Sequence, residues 1–111
     1  MFFHRSALPD GEQVVWEGRA NHLQGRRAVG GWLTVTTRTV LFEPNAVDRL
    51  VGGRRLRLGR ADIASVTLVD GIVVNLEISL AHSSERFKVS DPFVVSQAMA
   101  AQGPGPARAG T

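Results

Sequence analysis

The sequence has no cysteine and no tyrosine, and Lys88 is its one lysine. Without cysteine, neither a disulfide framework nor a thiolate metal site is available, so packing must hold the fold. No apolar run approaches transmembrane length, and Met1, Phe2 and Phe3 pass at once into His4 and Arg5, too short for a secretory signal. These absences predict a cytoplasmic protein. They also explain a sequence pI of about 11.0 beside a formal net charge of only +3: almost nothing titrates between roughly pH 8 and the arginine range. The pI is therefore a poor guide to partners, and the positions of the arginines are a better one.

Catalytic motifs are missing as well. His4, His22 and His82 fall in the N-terminal segment and two expected loops, without the spacing that sets two imidazoles on one helix face. No serine sits in a nucleophile elbow, and neither Val29-Gly30-Gly31 nor Val51-Gly52-Gly53 completes a phosphate-cradling loop. Glu17, Glu77 and Glu85 lie on expected polar strand faces or in a loop, where solvated charge is the default. The sequence reads as a non-enzyme with no metal and no cofactor.

What is present is a period of two. Ile72, Val74, Leu76, Ile78 and Leu80 share one face of a strand, while Val73, Asn75, Glu77 and Ser79 share the other. The same alternation pairs Val14 with Trp16, Leu33 with Val35, Val40 with Phe42, Leu56 with Leu58, Val66 with Leu68, and Phe87 with Val89. Seven strands follow, near 13–20, 28–36, 39–43, 54–58, 63–69, 72–80 and 85–90. A two-residue turn at Asp70-Gly71 would set Val66 against the polar face. A three-residue loop instead pairs Leu68 with Ile72 and Val66 with Val74, keeping apolar residues on one side. Residues 45–53 form the longest loop.

After the last strand the period changes. Ser90-Asp91-Pro92 is a helix start and Gly103 a stop. So short a helix needs the sheet for stability, through Phe93, Val94, Ala98 and Ala101. The expected organisation is an N-terminal segment at 1–10, one domain at 11–102, and a disordered Pro/Gly-rich tail at 103–111.

Seven antiparallel strands and one C-terminal helix is the order of the pleckstrin-homology superfold, a partly open barrel capped by the helix. Within it, residues 11 to 101 resemble the GRAM family. The resemblance rests on Gly30, Gly31, Trp32, Leu33, Val35, Thr36, Arg38, Leu41, Phe42 and Glu43, then Leu58, Asp62, Ile63 and Val66, and the segment RFKVSDP. Thr39 departs from it, since the family more often has arginine there, and the final helix lacks the usual tryptophan. The resemblance implies a targeting module that binds membrane lipids or proteins, with no catalytic role for the motif residues. Gly30-Gly31 is read as permitting close backbone approach or a bulge, and Trp32 and Phe42 as core aromatics.

Five arginines, Arg49, Arg54, Arg55, Arg57 and Arg60, lie between Asp48 and Asp62 with no acid among them. In the resembling superfold, the first-to-second and third-to-fourth strand loops share the open end of the barrel. Arg19, Arg26, Arg27, Arg49, Arg54 and Arg55 would then converge on one anion-binding rim, since guanidinium forks suit phosphate oxygens. Ala46, Val47, Leu50 and Val51 have helical spacing suited to a lipid interface.

The leading reading is a non-enzymatic module that recognises an anionic lipid headgroup or membrane surface, cytoplasmic or peripheral at the membrane. The alternatives are a protein-interaction domain that leaves the arginines solvated and, ranked last, a small nucleic-acid-binding barrel. The last needs outward aromatics for stacking, and only Trp32, in phase with Thr34 and Thr36, is placed to supply one.

Overall fold

A computed structural model describes residues 11–70 and 74–101. The expected tail and N-terminal segment, and residues 71–73, which hold the expected loop glycine and the start of the expected 72–80 strand, lie outside the described residues. Seven strands, β1 (Val14–Gln24), β2 (Arg27–Thr36), β3 (Thr39–Pro44), β4 (Leu56–Gly59), β5 (Ser65–Val69), β6 (Asn75–Ser79) and β7 (Ser84–Val89), form one antiparallel sheet. Its order is β4-β3-β2-β1-β7-β6-β5. The sheet curls but does not close, because β4 and β5 remain its two edges. A short helix α1 (Ala46–Leu50) interrupts the β3–β4 connection, a 3-10 turn (Arg60–Asp62) precedes β5, and helix α2 (Pro92–Ala101) follows β7.

Strand β1 joins the two halves of the sheet. It pairs with β2 along nearly its whole length and with β7 from Ala20 to His22. Gln24 faces Arg27, leaving a two-residue turn in which Gly25 alone takes a positive φ, 65°. That is the pattern of a type II′ hairpin turn. At the β2–β3 connection the Thr36 hydroxyl accepts the backbone N–H groups of Arg38 and Thr39. This side-chain turn is the tight connection expected at 36–39.

The core lies where the alternation puts it. Leu33, Val35, Val40, Phe42, Leu76, Ile78 and Phe87 are fully buried, each such side chain contributing roughly 1.5–3 kcal/mol of burial. Trp16 is half-buried against this cluster, and Gly18 leaves room for its indole: a Cβ there would stand 2.9 Å from Trp16 Cη2.

Four expectations are corrected. The β5–β6 ladder pairs Val66 with Ile78, Leu68 with Leu76 and Val69 with Asn75, not Val66 with Val74. The shift of four residues keeps every side chain on its face, so alternation could not detect it. Val74 and Leu80, expected on the 72–80 strand, lie outside β6. Within the described residues β6 runs only from Asn75 to Ser79. Helix α2 begins at Pro92, as expected, and the Asp91 carboxylate accepts the N–H of Val94. Its docking face differs: Val95 and Met99 are buried, whereas Phe93 is 58% and Val94 43% exposed. Finally, His22 is not in a loop: it lies within β1, which extends four residues past its expected end, and its side chain is buried, as is that of Arg60 in the connection between β4 and β5.

Arg60 ties α2 to the sheet. Its guanidinium donates to the Thr36 carbonyl at 3.0 Å and to the carbonyl of Met99 near the end of α2. A cation is favourable at that end of a helix.

Candidate functional site

Two surface regions carry concentrated chemistry. The first is the end of the barrel where the β1–β2 turn meets the β3–β4 connection. Asn45 opens α1: its side-chain oxygen accepts the N–H of Asp48, and its own N–H is held by the Gly30 carbonyl. Gly53 closes the connection by donating to the Asp48 carbonyl. A Cβ at Gly53 would stand 2.7 Å from that carbonyl, so the turn requires glycine. The β1–β2 turn clamps this loop twice. Gln24 both donates to the Arg54 carbonyl at 2.8 Å and accepts the Arg54 N–H at 2.9 Å, and the Arg27 guanidinium donates to the Val51 carbonyl.

The helix that results is held at its ends while its apolar side chains face outward. Val47 is 64%, Leu50 86% and Val51 51% exposed. Arg26, Arg27, Arg49 and Arg54 are exposed at the same end.

The six expected rim arginines therefore divide into three groups. Arg26, Arg27 and Arg54 lie at the clamped tip. Arg49 and Arg55 reach to one carboxylate, Glu43, at 3.7 and 2.7 Å. Arg19 is elsewhere, in the middle of β1 opposite Trp32. Of the remaining arginines in the 49–60 run, Arg57 is exposed on β4 and Arg60 is the buried helix anchor.

The second region is an open groove of about 820 Å3 across the outer faces of β7, β1 and β2. Arg19, Asn21, Gly30, Trp32, Asn45 and Lys88 contribute to its lining. Trp32 is half-buried on this outer face, and its indole N–H donates to Glu17 at 2.9 Å, so it is not a core aromatic. Gly31 does show the expected close approach: a Cβ there would lie 2.1 Å from the Glu43 carbonyl oxygen.

The glutamates expected to be solvated also have partners. Glu77 pairs with Arg86 at 3.3 Å, and Glu85 lies 2.6 Å from His22. The His22 ring stacks on Phe87, with centroids 4.7 Å apart, and meets the edge of Phe42 at 5.3 Å. Among the described residues, no helix is long and apolar enough to cross a membrane.

No family model matches the chain, and no curated protein matches it. Solved structures do. The Vps36 N-terminal PH domain superposes with a TM-score of 0.70 at 17% identity, covering 86% of this chain and 82% of that one. The N-terminal PH domain of human ARAP2 gives 0.60 at 14% identity, covering 96% and 98%. The C-terminal domain of an unknown protein from Leishmania infantum gives 0.70 at 11% identity, covering 83% and 84%. With its strand order and C-terminal helix, the chain has the pleckstrin-homology-like fold.

Proposed function

We propose that this protein is a non-enzymatic targeting module of the GRAM type that docks on anionic membrane surfaces through the tip built around α1. The observation that carries this reading is the exposure of Val47, Leu50 and Val51 together on one clamped loop, beside Arg26, Arg27 and Arg54. Exposed large apolar side chains gathered in one place mark an interaction surface. Each arginine near an anionic leaflet contributes about 1 kcal/mol, and burying a leucine side chain adds roughly 1.5–3 kcal/mol. Neither contribution alone gives stable attachment; the two together do, as in other two-signal anchors.

Flotation with phosphatidylcholine vesicles, with and without phosphatidylserine, at low and physiological salt, tests this reading. Wild type should float with the acidic vesicles, less so at high salt. Leu50→Ser, and separately Arg26→Glu with Arg54→Glu, should each abolish flotation. Reversing Arg38 and Arg57, exposed away from the tip, changes net charge equally and should have less effect. Indifference of the wild type to acidic vesicles, or equal loss in both double reversals, defeats the proposal.

A protein-interaction module is the second reading. Exposed Phe93 and Val94 on the first turn of α2 favour it, and it takes first place if flotation fails.

A further inference from the structure

The two edges of the sheet, β4 and β5, differ in chemistry. We propose that β5 is a self-association edge, through which two copies of this chain pair antiparallel about Thr67. An open edge offers a row of backbone N–H and C=O groups to any other strand, and proteins guard such edges with charge, proline or shortness. Strand β4 is guarded: it is four residues long, carries exposed Arg57 and follows exposed Arg54 and Arg55. Strand β5 is bare. It holds two valines and a threonine, residues that favour strands, with neither charge nor proline among its five residues. Ser65, Thr67 and Leu68 are exposed, and among the described residues β5 pairs only with β6.

A second copy fits this strand in one register. A two-fold contact sets the same patch against itself, and directly opposite residues of an antiparallel pair share a face. Centred on Thr67, the pairing sets Val66 opposite the partner's Leu68 on the face toward α2. On the outer face Thr67 meets the partner's Thr67, a cross-strand pair that hydrogen-bonds. Neighbouring centres fail. Pairing about Val66 brings Asp62 toward the partner's Asp70, and pairing about Leu68 puts the partner's Asp70 beside Val66. Like charges opposed, or a carboxylate on the apolar face, are both unfavourable.

The same register gives Leu68 a seat. A pocket of about 220 Å3 lies between β5 and α2, with Ile63, Val66 and Met99 in its wall. Leu68 is 38% exposed in the single copy. Across the two-fold it adjoins the partner's Val66 and so the mouth of the partner's pocket, where its apolar surface leaves water. An interface of two short strands and two such leucines belongs to the small, transient class. The dimer should therefore grow with concentration rather than persist on dilution.

This inference is independent of the membrane reading, since none of Val47, Leu50 and Val51 takes part in the pairing. Analytical ultracentrifugation of the full chain should show a mass rising from 12.0 kDa toward twice that value as concentration increases. Thr67→Glu sets two carboxylates face to face, and Glu77, opposite residue 67 in the β6 ladder, adds to the repulsion. That variant, with circular dichroism confirming its fold, should stay monomeric. An equimolar mixture with Thr67→Lys should restore association, because unlike charges then meet across the two-fold. Leu50→Ser, at the tip, should associate like wild type.

Cross-linking reads the register. The chain has no cysteine, so Thr67→Cys and Ser65→Cys each carry a single thiol. Under copper phenanthroline, Thr67→Cys should form disulfide-linked dimers at least about tenfold faster, because thiols at position 65 would stand about 13 Å apart along the paired strands, beyond disulfide reach. The proposal is overturned by a wild type that stays monomeric up to about 1 mM, which would leave β5 to a strand of a different protein. It is equally overturned by a folded Thr67→Glu variant that associates like wild type, by a mixture that fails to associate, by loss of association in Leu50→Ser, or by equal cross-linking rates.

Discussion

His22 Nε2 lies 2.6 Å from Glu85 Oε1, joining residues 63 apart in the sequence. Its other ring nitrogen, Nδ1, is 2.9 Å from the amide nitrogen of Gln24, which also donates to the Arg54 carbonyl while Gln24 Oε1 accepts the Arg54 N–H. An amide nitrogen only donates, so Nδ1 must accept and Nε2 must carry the proton given to Glu85. The arginine-bearing loop is thereby tied, through one glutamine, to a histidine stacked on Phe87 in the core.

This chain predicts separable effects. Gln24→Ala should cost about 1 kcal/mol, and hydrogen exchange at the Arg54 amide should accelerate while core amides of β2 and β6 keep their protection. His22→Ala should do the same at Arg54 and also destabilise the whole domain by roughly 2–4 kcal/mol, because it opens a cavity beside Phe42 and Phe87. An unchanged Arg54 amide in both variants would show that the tie carries no load.

Arg60 is expected to be the most sensitive arginine for stability. Arg60→Met removes the donors to Thr36 and Met99 and should cost roughly 2–4 kcal/mol, since buried carbonyls lose their partners. Arg60→Lys should rescue little, because an ammonium is a point donor without the planar fork that serves both carbonyls. Burial lowers the pKa of the Arg60 guanidinium, but arginine remains protonated in proteins. Thermal melts of the two variants check this; a lysine variant as stable as wild type would count against the fork.

The docking face of α2 can be tested directly. Val95→Ala should cost about 2 kcal/mol and Met99→Ala roughly 2–3 kcal/mol. Phe93→Ala and Val94→Ala should stay within about 0.5 kcal/mol of wild type, as surface substitutions do. Urea titration of the four variants would contradict this orientation if Phe93 proved as costly as Met99.

Acid should loosen the hold of the segment leading into β1 on the β2–β3 connection. The Thr36 hydroxyl, and then that of Thr39, donate to Glu12 at 2.7 and 2.9 Å and, with Arg57 and Arg38, hold its carboxyl below the ordinary value of 4.5. A carboxyl whose pKa is depressed on folding contributes stability that is complete above its unfolded pKa and is lost as pH falls through the folded one. Stability should therefore decline below about pH 4.5, and Glu12→Gln should flatten part of that decline. A variant whose acid limb matches that of the wild type would exclude Glu12 as its source.

Much of the fold was legible because strand alternation is a local signal. Leu33, Val35, Val40, Phe42, Leu76 and Ile78 are buried where a period of two puts them. The meeting of the β1–β2 turn with the β3–β4 connection was also legible, but only through the resemblance to a known fold. The second region was not, apart from Arg19. Lys88, Asn21 and Asn45 are far apart in the chain, and no local pattern marks them.

The sequence by itself determined the number of strands, the face of nearly every apolar residue and the start of the last helix, because each depends on neighbours a few positions away. Tertiary structure alone decided the β5–β6 register, since pairing Val66 with Val74 or Ile78 satisfies alternation equally. It turned Val95 and Met99, rather than Phe93 and Val94, toward the sheet, and it divided the rim arginines between the tip, Glu43 and the outer groove. Helix rotation depends on the surface it meets, and an arginine's role depends on which carboxylate or carbonyl lies within reach of its long side chain. Both are distances across the fold, which no spacing along the chain encodes.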